Sequence, residues 1–74
     1  MSDYFTICKI VQHPKKKHTT ILERVTVAGK EVRALTRKAA RHWCRNNYHR
    51  IEHYGLVLIH PDGTKEPFVY QGIL

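Results

Sequence analysis

The sequence predicts an α+β domain, in which one α-helix packs on one face of a four- or five-stranded, mainly antiparallel sheet. Three observations lead to this class. Runs rich in β-branched and aromatic residues lie on both sides of a single stretch with helical periodicity, and turn-forming residues separate the runs. With 74 residues, of which 42% are hydrophobic, the chain has enough apolar side chains for a single domain over residues 1–74.

The first two predicted strands form a hairpin. Residues 4–12 predict a strand that is apolar on both faces, which is typical of a central strand. Pro14 ends this strand because it cannot donate to a sheet ladder. A basic loop follows, with three consecutive lysines, Lys15, Lys16 and Lys17. Residues 19–27 resume the β pattern, so we expect the two strands to pair.

The segment before the helix allows two interpretations. Residues 28–30 can form a tight turn, followed by a short third strand over residues 31–34 and a helix capped by Thr36. Alternatively, the helix begins near Lys30, where Glu31 in its first turn would be stabilising. The glycine of the turn, the β-branched residues around it and the capping side chain of Thr36 favour the later start, which we predict.

Residues 35–47 carry the helical signal and the only tryptophan. On a period of about 3.6 residues, Leu35, Ala39 and Trp43 share one stripe, which we expect to pack on the sheet. The opposite side carries three arginines one turn apart, Arg37, Arg41 and Arg45. Two asparagines then tolerate the left-handed conformation that ends helices, so we predict the end of the helix near Asn47.

Two further strands complete the predicted sheet. Residues 50–60 have β character, and Gly55 within them indicates a bulge or a close approach of two backbones. Residues 60–64 contain a proline, an aspartate and a glycine in the order of a tight turn, which predicts a hairpin. The returning strand covers residues 67–71, and Pro67 at its start indicates an edge strand. An exposed edge could also pair with a second copy of the chain to form a homodimer.

The basic residues predict a binding surface. The chain has a net charge of +7, which is typical of small domains that bind nucleic acid, anionic membranes or acidic proteins. No acidic residue lies between Glu31 and Glu52, so the arginines of this stretch have no partner of opposite charge nearby in the sequence. Arginines one turn apart lie about 6 Å apart along the helix, close to the spacing of phosphates along a strand. The predicted binding residues are Lys15, Lys16, Lys17, Arg33, Arg37, Lys38, Arg41 and Arg45.

No arrangement typical of an enzyme or a metal site is present in the sequence. His42, Cys44, His49 and His53 are close together, but the first two project about 160° apart on a helix and the last two lack a second ligand pair. Carboxylates occur singly, and there is no glycine-rich phosphate loop or nucleophile motif. We therefore predict a non-enzymatic protein without a metal or cofactor.

Cysteine use and hydropathy indicate a cytoplasmic protein. Cys8 and Cys44 lie in different predicted elements without a paired spacing, which is typical of buried, free thiols. Lys9 interrupts the first apolar run, so we expect no secretory leader. No segment reaches the roughly 18 apolar residues of a membrane span.

Two stretches resemble one class of phage protein. Ile7-Cys8-Lys9-Ile10-Val11-Gln12 ends the first strand, and Val32-Arg33-Ala34-Leu35-Thr36-Arg37-Lys38-Ala39 leads from strand to helix. This layout resembles the small phage-encoded inhibitors of CRISPR surveillance complexes, some of which are antiparallel sheets with one packed helix. The resemblance implies a non-enzymatic protein of the host cytoplasm that binds a nucleoprotein complex and blocks or mimics its nucleic-acid contacts. It assigns no site residue.

Two functions are therefore expected from the sequence. The first is a small basic module that binds nucleic acid or a nucleoprotein, mainly through phosphate contacts made by the helix and the lysine-rich loop. The second is an inhibitor or adaptor that binds an acidic surface of a host protein complex. Both are binding functions that depend on the same cationic side chains.

Overall fold

The sheet is built around its first strand in the computed structural model, which describes residues 3–69. The elements in chain order are β1 (Phe5–Gln12), β2 (Thr20–Arg24), β3 (Thr26–Val27), β4 (Lys30–Glu31), β5 (Arg33–Ala34), α1 (Arg37–Asn47), a 3-10 helix (Tyr48–Arg50), β6 (Gly55–Ile59) and β7 (Lys65–Phe68). The predicted α+β class, with an antiparallel sheet and one helix on one face, is confirmed.

Strand β1 is central, as its apolar residues on both faces predict. The main sheet has five strands, in the order β2-β1-β6-β7, with β5 also paired to β1. Because Thr6 lies opposite Arg33 on one side and Ile59 on the other, β5 continues the edge that β2 begins. All pairs in this sheet are antiparallel, and the predicted N-terminal hairpin of β1 and β2 is present.

The predicted second strand is interrupted at Val25. This side chain is buried in the core, and its amide donates to the carbonyl oxygen of Ile7 at 2.9 Å. Strands β3 and β4 then form a separate hairpin, whose turn residues Ala28 and Gly29 have φ of 53° and 80°. Positive φ at both positions is the geometry of a type I′ turn, which matches the twist of paired strands. The predicted tight turn is correct, and the short strand after it is divided between β4 and β5.

The helix has the later of the two predicted starts. The hydroxyl of Thr36 accepts a hydrogen bond from the amide of Ala39 at 3.1 Å, as expected of an N-cap residue. The α-helix ends at Asn47, the predicted position, with Arg45 in its last turn, but without the predicted left-handed asparagine. Asn47 has φ of −115°, its side chain donates to the carbonyl oxygen of Trp43 at 2.9 Å, and the chain continues into the 3-10 helix.

Of the predicted packing stripe of the helix, Trp43 packs against the core, but Leu35 and Ala39 do not. Ala40 and Cys44 are fully buried, whereas Leu35 is 82% exposed and Ala39 is exposed. Leu35 precedes the N-cap, so its side chain does not follow the helical rotation that placed it with Ala39. Trp43 is half-buried and packs against the core. The buried stripe is therefore displaced along the sequence by one residue from the predicted one.

The core lies between α1 and one face of the sheet. The helix contributes its two fully buried side chains, and the sheet contributes Ile7, Leu56, Leu58 and Phe68. Gly55 marks a close approach, since a Cβ atom there would lie 3.2 Å from the Cδ1 atom of Ile10. The close neighbour is a side-chain atom, so Gly55 leaves room for the Ile10 side chain, and the contact is neither the bulge nor the close approach of two backbones that was predicted.

The C-terminal hairpin forms where predicted, with different strand limits. Residues 50–54 precede β6 rather than belonging to it, because the 3-10 helix occupies the start of that stretch. In the turn, the amide of Gly63 donates to the carbonyl oxygen of His60 at 2.9 Å. The amide of His60 donates to the carbonyl oxygen of Thr64 at 2.8 Å. Strand β7 begins at Lys65, before the predicted start at Pro67. It is an edge strand of the described sheet, as predicted. The predicted strand positions Tyr70 and Gln71 lie outside the described residues.

Both cysteines are free and buried. Burial is the main cause that raises the pKa of the Cys44 thiol to about 11, and it also raises the pKa of Cys8. A protonated, buried thiol is a poor nucleophile. Within residues 3–69, no helix has the length and apolar character needed to cross a bilayer.

Candidate functional site

Two of the predicted binding arginines converge on Glu66 of β7. Arg37 binds both carboxylate oxygens, with its Nε atom 2.8 Å from Oε1 and its Nη2 atom 2.7 Å from Oε2. Arg41 adds a longer contact, Nη1 to Oε2 at 3.4 Å, and its guanidinium lies 5.5 Å from the ring centre of Phe68. His60 contacts the other oxygen at 2.8 Å. We call these four residues the Glu66 cluster: Arg37, Arg41, His60 and Glu66.

The Glu66 cluster fixes the first turn of α1 to β7. Hydrogen bonds from Arg37 and then His60 are the main causes that lower the pKa of Glu66 from 4.5 to about 2. The same carboxylate raises the pKa of Arg37. The helix has no acidic residue in its own first turn, so Glu66 provides the negative charge that favours this end of the helix dipole. Arg37 and Arg41 therefore form an intramolecular ion pair network rather than an open row of cations.

A second cluster engages Arg33. Glu31 accepts hydrogen bonds from Arg24 at 2.9 Å, from Arg33 at 3.0 Å and from the hydroxyl of Tyr4 at 3.2 Å. The bond from Arg33 is the largest cause that lowers the pKa of Glu31. Arg33 also lies 4.4 Å from the ring centre of Tyr4. Arg33 is therefore held at the β4–β5 junction by its own contacts.

The outer face of α1 is cationic and polar. Its exposed side chains include Lys38, His42, Arg45 and Asn46, and α1 contains no acidic residue. Within residues 3–69, Lys38 and Arg45 have no ion pair, while His42 and Asn46 contact each other at 2.9 Å. Helical rotation places Lys38, His42 and Arg45 on one side, because they are four and then three residues apart. We call this the outer helix face.

The lysine loop, residues 13–19, is ordered by its first histidine. The Nδ1 atom of His13 accepts from the amides of Lys15 and Lys16 at 3.0 and 3.1 Å. The His13 amide closes the loop by donating to Thr19 at 2.7 Å. Lys15, Lys16 and Lys17 are exposed, and none of them forms an ion pair with another described residue.

The predicted binding residues divide between the two ends of the sheet. The helix packs over β1, β5 and β6, and the side chains of Arg37 and Arg41 reach across to Glu66 and then Phe68 of β7. The helix therefore advances in the direction of β7, which is also the direction of β1. The 3-10 helix continues this path, with the ring of Tyr48 centred 6.3 Å from that of Phe68. Arg45 and the lysine loop therefore lie towards one end of the sheet. Arg33, Arg37 and Lys38 lie towards the other end, so the outer helix face extends from one end of the sheet towards the other.

The loop end of the sheet also carries a feature that was not predicted. Tyr54 is 69% exposed, and its hydroxyl lies 3.4 Å from the side-chain oxygen of Gln12. Two cavities share these side chains. One, of about 410 Å³, also includes Lys9 and Glu52; the other, of about 330 Å³, is lined by Gln12, His18, Thr19, Thr20 and Tyr54. We call the second one the loop cavity. Nothing in the sequence distinguishes Tyr54 from the other tyrosines.

The side chains that commonly bind metals do not gather at one place in the described residues. In the described part of the chain, no three histidine, cysteine, aspartate or glutamate side chains come together as a metal site would require. His42 lies on the exposed side of the helix and Cys44 on its buried side.

Comparisons with models of protein families, with curated protein sequences and with solved structures each found no match.

Proposed function

We propose that the protein is a small, non-enzymatic module that binds the phosphate backbone of nucleic acid through the outer helix face and the lysine loop. The observation that carries this proposal is the chemistry of the outer helix face. Lys38 and Arg45 are exposed there, with no acidic residue on the helix and no ion pair to the described residues. Unpaired cations of this kind gain by neutralising phosphates and releasing counterions.

The two acidic clusters decide which cations are available. Glu31 and Glu66 each hold two arginines, so four of the six arginines already have a carboxylate partner. Binding a phosphate through one of these would compete with an existing ion pair. The lysine loop, Lys38 and Arg45 face no such competition. We therefore assign the main phosphate contacts to five side chains and not to Arg33, Arg37 or Arg41. The five are Lys15, Lys16, Lys17, Lys38 and Arg45.

The proposed contacts do not depend on sequence. Lysine ammonium groups act as point charges on phosphates, and Arg45 can bind a phosphate bidentately. Asn46 is the exposed amide on the helix, and it contacts His42. Contacts to base edges in the major groove would need amide or guanidinium groups presented in a row. We therefore expect similar affinity for duplexes of different sequence.

The test compares two double variants of equal net charge. Lys38→Gln with Arg45→Gln removes two charges from the outer helix face, whereas Lys30→Gln with Lys65→Gln removes two exposed charges elsewhere. Fluorescence anisotropy with a labelled 20-base-pair duplex at low salt should show roughly tenfold weaker binding for the first variant and a smaller loss for the control. Equal losses would mean that net charge alone matters. Absence of binding by the unmodified chain at low salt would contradict the proposal.

A second candidate is an inhibitor or adaptor that binds an acidic surface of a host nucleoprotein complex. The exposure of Leu35 favours it, since this apolar side chain is 82% exposed beside cations and would be stabilised by burial against a protein partner. Under this proposal, one protein complex should be captured from nuclease-treated host lysate and lost with Leu35→Ser. Loss of capture after nuclease treatment alone would favour direct nucleic-acid binding.

A further inference from the structure

We infer that the loop cavity holds an unpaired nucleotide of a single-stranded nucleic acid, with its base stacked on Tyr54 and its phosphates at the lysine loop. The inference rests on the proposed function and names a partner that the outer helix face alone does not select. The first observation is Tyr54, an exposed aromatic side chain directly before β6.

The backbone holds Tyr54 firmly although its side chain is exposed. The amide of Tyr54 donates to the carbonyl oxygen of Ile10 at 2.9 Å. The next residue, Gly55, pairs with the same Ile10 as β6 begins. An aromatic ring on an ordered backbone loses little conformational entropy when a planar ligand stacks on it. An exposed ring on a hydrogen-bonded backbone position is suited to act as a stacking platform for bases.

The walls of the loop cavity suit the edge of a base. Gln12 offers an amide, Thr19 and Thr20 offer hydroxyls, and His18 offers an imidazole. All four side chains are exposed, so the cavity opens to solvent. These groups include both donors and acceptors, which every base edge needs when it leaves a stack. His18 has a φ of 64° in the exposed loop that leads into β2.

The charges around the loop cavity favour phosphates on the side of the lysine loop. The loop cavity has no acidic residue in its lining, and the three lysines precede it directly in the chain. The neighbouring cavity contains Glu52 together with Lys9, so an anionic ligand is less favoured there. A nucleotide whose base lies against Tyr54 would therefore extend its phosphates towards Lys15, Lys16 and Lys17.

A single strand fits this site better than a duplex. The faces of bases in a duplex are covered by their stacked neighbours, and unstacking a base costs free energy. A single strand already exposes base faces that can stack on a tyrosine. A duplex would therefore reach the lysine loop and the outer helix face through its phosphates and leave Tyr54 unused.

The experiment measures anisotropy of labelled dT12, U12 and a 12-base-pair duplex with three chains: the unmodified protein, Tyr54→Ala and Tyr54→Phe. Removing the ring should weaken binding of the single strands about tenfold and leave duplex affinity unchanged. Tyr54→Phe keeps the ring and should bind within about twofold of the unmodified chain, since the hydroxyl makes only the 3.4 Å contact. dT12 and U12 differ in the sugar and in the 5-methyl group of the base, and both should show the loss expected for Tyr54→Ala because stacking requires only an unpaired base. Circular dichroism checks that each variant is folded.

The outcomes separate the inference from the function on which it rests. Equal binding of single strands by Tyr54→Ala and the unmodified chain would overturn the inference while leaving backbone binding intact. An equal loss for single strands and duplex would also overturn it, because the ring would then act without selecting unpaired bases. Absence of binding by the unmodified chain to all three probes would overturn both proposals.

Discussion

Glu66 is the single residue whose contacts most alter the interpretation of the charged surface. It lies on β7, and its carboxylate is bound by two arginines that are 25 and 29 residues away in the chain. The carboxylate side chain is 21% exposed, whereas its arginine partners are 56% and 40% exposed, so solvent partly screens these ion pairs. Arg37 and Arg41 consequently contribute to the attachment of the helix rather than to a free surface.

We expect Glu66→Gln to lower the free energy of unfolding by about 1 kcal/mol at pH 7, because the charged partner of both arginines is lost. Urea unfolding measures this change. Glu23→Gln is the matched control, since Glu23 is exposed and forms no ion pair within residues 3–69. A Glu66 variant as stable as the control would show that the cluster contributes nothing to folding.

The same carboxylate should give a defined acid dependence. Folding lowers the pKa of Glu66 from 4.5 to about 2, so its stabilising contribution is complete above about pH 4.5 and is lost as the pH falls towards 2. As the pH is lowered across this range, the free energy of unfolding should therefore decrease less steeply in Glu66→Gln than in the unmodified chain. Parallel stability curves for the two chains would contradict the assigned cause.

At the scale of elements, the helix shows what local sequence can and cannot predict. The start at Thr36 and the turns at residues 28–29 and 60–64 were predictable, because capping and positive φ depend on neighbouring residues. The buried face was not, because Leu35 lies outside the helix and small residues such as Ala40 carry little periodic signal. Periodicity identified an amphipathic helix and assigned the wrong stripe to the core.

The N-cap gives a direct test of the helix start. We expect Thr36→Ala to lower the free energy of unfolding by about 1 kcal/mol, because the Ala39 amide loses its acceptor. Thr36→Ser retains a hydroxyl and should stay close to the unmodified chain. Thermal unfolding followed by circular dichroism measures both. If the two variants lose the same stability, the hydroxyl bond does not define the start of the helix.

At the scale of the whole molecule, the fold distributes the positive charge unevenly. The sequence predicted that eight basic residues form one surface, and the structure separates them into ion-paired arginines and unpaired cations. Sequence spacing could not predict this, since the Glu66 pairs depend on β7 lying beside α1. Tyr54 was missed for a related reason, because its neighbours in the loop cavity come from the other hairpin. The class of fold followed from local patterns, whereas the site follows from tertiary contacts.

The salt dependence of duplex binding tests the proposed function most directly. If Lys15, Lys16, Lys17, Lys38 and Arg45 each neutralise one phosphate, the logarithm of the binding constant should fall with the logarithm of salt concentration with a slope of roughly −4.5. Lys38→Gln with Arg45→Gln should make this slope less negative by about 2, whereas Lys30→Gln with Lys65→Gln should leave it unchanged. A flat salt response, or equal slopes for the two variants, would contradict phosphate binding by the outer helix face and the lysine loop.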